Sequence, residues 1–241
     1  QFMGAAALLG AGMGLASGAM AVESSSEWPG NYWDPARPYA PAAKPLRVLP
    51  VLMYRLPKRR EKTSWKSWGG VQTPEAVAEE KARIAGELAG LAAKASFPLS
   101  ILPVAEVPSE EAADALDKSG ADAVILYPAT GSDEMLEKCL PEKNGLIFVR
   151  HRSGPAYYWY EALSTRILRK RGAGEDSPAE TTLSVDDVVV DDLDELAWRL
   201  RALFAVRNFI GTRIVALGGP MGKYDESAPD VARKNYGFEI V

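Results

Sequence analysis

Residues 123–127 read Ala-Val-Ile-Leu-Tyr, a short run whose only polar side-chain atom is the tyrosine hydroxyl. This length and composition are typical of a β-strand that is buried on both faces. Strands of that kind belong to parallel sheets that helices cover on each side. The run therefore favours an α/β fold.

Further strands and helices alternate on both sides of this run. We predict strands over residues 47–56, 99–107, 123–127, 145–149, 185–190, 213–217 and 238–241, and helices over residues 74–96, 109–118, 133–140, 155–170 and 230–235, with one more that starts at residue 192. Such alternation requires parallel strands joined by helices on both faces of a sheet. We therefore expect one three-layer, doubly wound α/β domain of the Rossmann or flavodoxin type over residues 46–241, with at least five mainly parallel strands.

The composition is that of one folded domain without affinity for nucleic acid. A chain of 241 residues with 47% hydrophobic side chains can bury one sizeable core. Its 28 basic and 32 acidic residues give a formal net charge of -4, which leaves no excess positive charge to neutralise phosphates. The single cysteine, Cys139, has no base beside it in the sequence, which predicts a packed structural thiol.

The first 45 residues are predicted to lie outside the fold. Residues 2–21 are almost uncharged, rich in glycine and alanine, and end in Ala-Met-Ala, a pattern typical of signal-peptide cleavage before Val22. This run is only weakly hydrophobic, so we expect no stable membrane span. An apolar helix packed on the body is the alternative. Residues 22–45 are rich in serine and proline and predict an extended linker.

The start of the chain also resembles one class of export signal. Gln1 and Phe2 are similar to the residues that follow the arginine pair of twin-arginine signals, and weak hydrophobicity suits that route. The pair itself and an initiator methionine are absent, so we expect a trimmed start. The expected location is periplasmic or extracellular.

Ligands of open parallel sheets bind beyond the carboxyl ends of the strands, where loops meet helix N-termini. Because parallel strands end at the same edge, the residues that follow the predicted strands should face one cleft. We therefore predict substrate-binding roles for residues that share this position: Arg55, Thr130, His151, Arg152, Ser153, Gly219 and Met221. No catalytic residue is assigned.

The only histidine of the chain, His151, lies between Arg150 and Arg152, just before a Gly-Pro pair that predicts a helix start. Two guanidinium groups and an imidazole can donate hydrogen bonds to an anionic or polar ligand such as a sugar or sugar acid. Alternatively, both arginines pair with surface carboxylates and His151 bonds to a backbone carbonyl. The sequence leaves both interpretations open.

Two other clusters match no known motif. The glycines at 218, 219 and 222 fit neither GxGxxG nor GxxxxGK[ST], so a tight turn without a ligand explains them as well as nucleotide binding does. The acidic residues between 186 and 195 straddle a strand end and a helix start, where solvation and the helix dipole account for them. Neither an HxxxH nor a CxxC pattern is present, and we predict no metal and no cofactor in this chain.

Residues 217–222 (LGGPMG), followed by residues 236–240 (YGFEI), resemble the end of the N-terminal domain of the L-fucose and L-arabinose isomerases and their sugar-isomerase-like relatives. In that family a strand runs into a similar glycine-rich turn, and an aromatic-glycine pair precedes the strand that enters the next domain. The order of elements from Arg47 onward is similar as well, so the resemblance covers residues 47–241.

The resemblance implies an aldose–ketose isomerase, an intramolecular oxidoreductase, as the related activity. In these enzymes a glutamate, an aspartate and a histidine of later domains hold a divalent manganese ion, and this chain stops at Val241, before any of them. A domain that is catalytically incomplete alone is therefore implied. Family N-terminal domains supply substrate contacts and subunit packing. By position, the resemblance implies that Arg55 and Trp68 contact the substrate and that the protein forms a homo-oligomer.

Three functions remain open at this point. The first is a sugar-isomerase-related domain of an exported protein, either part of a longer chain or a reduced relative that has lost its catalytic part. The second is an exported carbohydrate- or solute-binding module, because periplasmic receptors use doubly wound lobes. The third is a structural assembly domain that binds no small ligand.

Overall fold

A computed structural model of the protein describes residues 43–58, 69–141, 144–158, 185–222 and 224–241. The elements in chain order are β1 (Leu46–Met53), α1 (Pro74–Lys94), β2 (Leu99–Ile101), β3 (Ala105–Val107), α2 (Glu110–Asp114), β4 (Ala123–Pro128), α3 (Asp133–Cys139), β5 (Gly145–Val149), β6 (Val188–Val190), α4 (Leu193–Phe209), β7 (Arg213–Ile214), α5 (Ala228–Tyr236) and β8 (Glu239–Ile240). One turn of 3-10 helix, Val185–Asp187, precedes β6.

Six strands form the central sheet, and every pair in it is parallel. The order is β2-β1-β4-β5-β6, and β3 pairs with the same edge of β1 as β2 does, further along the strand. When β2 and β3 are taken as one interrupted edge strand, this is the flavodoxin-like order 2-1-3-4-5. The prediction of a three-layer, doubly wound α/β fold with at least five parallel strands is confirmed.

Burial follows from the position of each strand in the sheet. Every residue of β4 and β5 is buried, and in β1 only Arg47 is exposed. Such strands are apolar on both faces because helices pack on each side. The run at 123–127 thus lies in the middle of the core, as its composition predicts.

The helices cover the sheet in two pairs. α1 and α4 share one face, where the rings of Phe97, just after α1, and Phe204 of α4 have centroids 4.9 Å apart. α2 and α3 contact each other, and Lys138 Nζ lies 2.9 Å from Asp114 Oδ2. Within the sheet, β2 and β3 lie next to one edge of β1, and β4 lies next to the other edge. Right-handed crossovers in these two directions put α1 and α2 on opposite faces.

The edge strand predicted over residues 99–107 is divided in two, and Pro50 explains the division. β2 pairs with Leu46–Val48 of β1, and β3 pairs with Val51–Met53. Pro50 has no N–H to donate, and it lies between the two ladders. β1 is a central strand, and the gap in its neighbour accommodates the proline.

Other predicted elements also differ in the structure, and the strand predicted at 185–190 is reduced to Val188–Val190 by the 3-10 turn before it. The strand predicted at 213–217 is only Arg213–Ile214, and it pairs with β8 in a separate two-stranded parallel sheet instead of joining the main one. The helix predicted at 109–118 ends at Asp114. Residues 155–158 form bends and a turn, and the remainder of the helix predicted at 155–170 lies outside the described residues, as does the chain before residue 43.

None of the helices in the described ranges combines the length and the apolar composition needed to cross a bilayer.

Burial on both sheet faces can be tested at neighbouring positions of β4. Ile125 and Leu126 point to opposite faces and are both 0% exposed. We expect Ile125→Ala and Leu126→Ala each to lower the free energy of unfolding by about 2–5 kcal/mol, measured by urea denaturation, because each leaves a cavity in a packed layer. The control Leu217→Ala, at a position 95% exposed, should change it by less than about 0.5 kcal/mol. If either Ile125→Ala or Leu126→Ala left the free energy of unfolding unchanged, that result would contradict the three-layer arrangement.

Candidate functional site

The strand order reverses between β1 and β4, which are hydrogen-bonded neighbours. The last pair in their register is Met53 opposite Pro128. The chain then continues beyond the sheet edge as Tyr54-Arg55 on one side and as Ala129-Thr130-Gly131 on the other. In doubly wound sheets, the crevice at this switch point is where ligands bind.

Thr130 holds the backbone of Arg55 at this point. The amide N–H of Arg55 donates to Thr130 Oγ1 at 2.7 Å, and the same hydroxyl donates to the Arg55 carbonyl oxygen at 3.0 Å. Thr130 is only 6% exposed, so both bonds are shielded from water. This reciprocal pair fixes the point where the chain leaves β1.

The guanidinium of Arg55 is paired on one side and open on the other. Its Nη2 lies 2.9 Å from Glu110 Oε1 and 3.6 Å from Met135 Sδ, while the side chain remains 51% exposed. The Ser132 hydroxyl donates to the same Glu110 oxygen at 3.4 Å. Donors and an acceptor therefore lie side by side at the switch point, where solvent can reach them.

A groove of about 660 Å³ lies on the other side of the same strand end, between α1 and β3. Most of its lining is apolar, and its polar groups are Tyr54, Lys81 and Glu106. Tyr54 Oη donates to Glu106 Oε2 at 3.0 Å, and Lys81 Nζ donates to Glu106 Oε1 at 2.6 Å. The hydrogen bond from Lys81 is the main reason that the pKa of Glu106 is lowered.

The end of β5 carries a buried ion network in place of an open site. Arg150 is 0% exposed; its Nε lies 2.5 Å from Glu80 Oε1 and its Nη2 lies 2.6 Å from Glu87 Oε2. Burial alone would lower the pKa of Arg150, but the bonds to Glu87 and Glu80 raise it above its usual range. Tyr157 Oη also donates to Glu80 Oε1, at 2.5 Å.

The chain after Arg150 folds back over neighbouring strand ends. Tyr158 donates its N–H to the carbonyl of Ala129 beyond β4, at 2.9 Å, and Gly70 donates to the carbonyl of Ala156 at 2.7 Å. A Cβ on Gly70 would lie 2.5 Å from the Cβ of Pro155. Only glycine allows this close approach. Gly70 therefore lets residues 155–158 pack against the segment that leads into α1.

Asp191, just beyond β6, accepts hydrogen bonds from the predicted site segment 151–153. Its carboxylate receives the backbone N–H groups of His151, Arg152 and Ser153 at 2.8–3.0 Å and the Ser153 hydroxyl at 2.6 Å. Partial burial works to raise the pKa of Asp191, but these four bonds outweigh it and lower the pKa to about 2. Three successive N–H groups form an anion-binding nest, and a carboxylate of the chain itself occupies it.

The predicted site residues therefore fall into separate groups. The structure brings Arg55 and Thr130 together, and it brings His151, Arg152 and Ser153 together around Asp191. Gly219 and Met221 follow β7, which belongs to the separate small sheet, and both are exposed. Trp68 lies outside the described residues. Gly219 and Met221 therefore do not share the edge at which the strands of the main sheet end.

Several residues of these clusters were not predicted, namely Glu80, Glu87, Glu110 and Asp191. One signal was present for Glu80, since it lies on the apolar side of α1 with Val77, Ile84 and Leu88, all of them buried. A carboxylate on a buried helix face needs a cation. The sequence does not show which of the many arginines supplies it.

Among the described residues, no group of three or more histidine, cysteine, aspartate or glutamate side chains is arranged to hold a metal ion. Cys139 is fully buried, and that burial raises the pKa of its thiol to about 12.

Comparison with known proteins gave no relative: no family model matches the sequence, and no curated protein is detectably similar to it.

Two tyrosines near Arg150 provide a matched test of the buried network. Tyr157 donates to Glu80, whereas Tyr127 Oη is buried and has no hydrogen-bond partner among the described residues. We expect Tyr157→Phe to lower the free energy of unfolding by about 1–3 kcal/mol, because Glu80 loses a donor. Tyr127→Phe should be neutral or stabilising by up to about 1 kcal/mol, because it removes an unsatisfied hydroxyl. Equal losses in urea denaturation would contradict this assignment.

The Asp191 nest predicts a specific dependence of stability on pH. A pKa of about 2 in the folded protein lies below the usual aspartate value of about 3.9. The stabilisation by Asp191 is therefore complete above about pH 4 and is lost as the pH falls toward 2. Asp191→Asn keeps a side chain that tolerates the positive φ of 57° found there. This variant should be less stable at pH 7 and should lose less stability than wild type between pH 4 and 2.

The measurement is urea denaturation over this pH range, with Glu226→Gln, an exposed carboxylate, as the control. The control should keep the wild-type slope. An unchanged slope in Asp191→Asn would show that the nest does not bind the charged carboxylate.

Proposed function

We propose that this chain is the N-terminal domain of an exported sugar-isomerase-like protein, that it binds a small sugar or sugar acid, and that it is catalytically incomplete alone. The observation that carries this proposal is the half-exposed Arg55–Glu110 pair at the switch point of a flavodoxin-like sheet.

The chemistry of the Arg55–Glu110 pair fits a polyhydroxylated ligand. A guanidinium presents several N–H donors in one plane and can bind two neighbouring oxygens, which a sugar acid offers in its carboxylate and a sugar in adjacent hydroxyls. Glu110 beside it can accept a hydrogen bond from a further hydroxyl. Because Thr130 fixes the Arg55 backbone, that part of the site is already ordered before a ligand binds.

The resemblance of residues 217–222 and 236–240 to sugar isomerases supports the choice of ligand class. Export is supported by the Ala-Met-Ala pattern at residues 19–21. The aldose–ketose interconversion would need metal and acid–base groups supplied by another domain.

The binding role of Arg55 is tested by calorimetric titration of wild type and variants with pentoses, deoxyhexoses and their acids. Arg55→Ala should weaken binding by about 1–3 kcal/mol, the range for a hydrogen bond to a charged group. Arg213→Ala serves as the matched control, since this arginine is 64% exposed and lies in the separate two-stranded sheet. The control should bind as wild type does.

Two further variants locate the ligand. Glu106→Gln changes the groove on the other side of β1, and Arg152→Ala removes the exposed guanidinium after β5. If either weakens binding while Arg55→Ala does not, the ligand lies elsewhere and the assignment of Arg55 is wrong. No binding by wild type would overturn the ligand-binding role, and sugar turnover by the chain alone would contradict its catalytic incompleteness.

A further inference from the structure

Helix α4 has two apolar faces, only one of which is covered by the described protein. Leu196 and Leu200 are fully buried against the sheet. The opposite face carries an apolar stripe, which we define as Trp198, Ala202, Ala205, Val206 and Phe209, all exposed. The exposed fractions of its large members are 64% for Trp198, 54% for Val206 and 53% for Phe209. A helix that is apolar on both sides needs a second partner.

We propose that the apolar stripe is a homodimer interface, in which α4 packs antiparallel against α4 of a second copy around a twofold axis. This inference does not depend on the proposed sugar binding. It rests on the symmetry of the stripe, on the prior order of Phe209 and on the area the stripe offers.

The residue spacing within the stripe is self-complementary. Two small residues, Ala202 and Ala205, lie at its centre, and they allow two helix axes to approach to about 8 Å. Trp198 and Phe209 lie equally far from that centre, on either side of it. A twofold axis at the centre therefore places Trp198 of one copy opposite Phe209 of the partner subunit. An isologous interface requires this kind of reciprocal match.

The helix dipoles fit the same arrangement. Antiparallel packing of two copies of α4 sets their dipoles in opposite directions, which is the favourable orientation for neighbouring helices. The exposed Arg201 borders the stripe, where its methylene stem can cover apolar surface while the guanidinium stays in water.

Phe209 of the stripe is held in place before association. Phe209 makes edge-on contacts with Tyr236 and Phe238, at centroid distances of 5.8 and 5.0 Å. An aromatic anchor that is already held loses little entropy when a partner covers it. Exposed rings of this kind are enriched among the residues that dominate interface energies.

The area of the stripe sets the expected strength of the dimer. About half of each aromatic side chain is exposed, which corresponds to roughly 100 Å² per ring. With the aliphatic members, two copies would bury an area near the lower end of the range for specific interfaces, below about 1,200 Å² in total. We therefore expect a reversible dimer with a dissociation constant on the order of micromolar.

The test is sedimentation velocity of the full chain over a concentration series. Wild type should shift from monomer to dimer with rising concentration. Ala205→Glu should raise the dissociation constant by roughly tenfold or more, because it places two like charges beside the axis. Ala89→Glu makes the same change at an exposed alanine of α1 and should leave the dissociation constant unchanged. A wild type that stays monomeric at several hundred micromolar, or an Ala205→Glu variant that dimerises equally well, would overturn the proposal.

A cysteine variant tests which face and which register are used. Ala205→Cys lies next to the twofold axis, so two copies should form a disulfide in the presence of oxidised glutathione. The native Cys139 is buried and does not interfere. Asp194→Cys lies far from the axis in this register and should not link to itself. Linking of Asp194→Cys but not of Ala205→Cys would show that a different surface or register forms the dimer, and the proposal would be wrong.

Discussion

The buried guanidinium of Arg150 is the charge around which the carboxyl edge of the sheet is built. An ion with no exposed surface is tolerated only when partners of opposite charge satisfy it. Glu80 and Glu87 of α1 supply them, so α1 is tied to the end of β5 by short ion pairs. Arg150 also accepts the N–H of Tyr157 through its carbonyl, and the chain that follows β5 is thereby turned back across the strand ends.

This arrangement decides which strand end is open to a ligand. The backbone N–H groups of residues 151–153 are bound by Asp191, and the Arg150 guanidinium is bound by the carboxylates of α1. A ligand anion at the end of β5 would have to displace a carboxylate whose lowered pKa shows how well it is already bound. At the switch point the opposite holds, because Thr130 uses only the backbone of Arg55 and leaves half of its side chain exposed. This contrast supports placing the proposed ligand site at the end of β1.

The sequence predicted the layers of the fold because each local pattern agreed with the whole. Residues 123–127 and 145–149 are apolar runs, and they became the fully buried strands β4 and β5. The partners of Arg150 could not be predicted, since Glu80 lies 70 residues away and many carboxylates compete for the same role. The strand at 213–217 was placed in the wrong sheet because periodicity identifies a strand without identifying its neighbour.

The small sheet formed by β7 and β8 depends on apolar side chains that are partly exposed to solvent. Two strands with two paired positions cannot be stable alone. Packing among Phe209, Tyr236 and Phe238 therefore has to hold this sheet to the end of α4. Gly237 adopts a left-handed backbone conformation that ends α5, so that Phe238 can reach the aromatic cluster. About half of Phe209 nevertheless remains exposed, on the same face of α4 as Trp198 and Val206. Any protein surface that covers the apolar stripe would also stabilise the small sheet, so association and local order of the C-terminal segment are thermodynamically coupled.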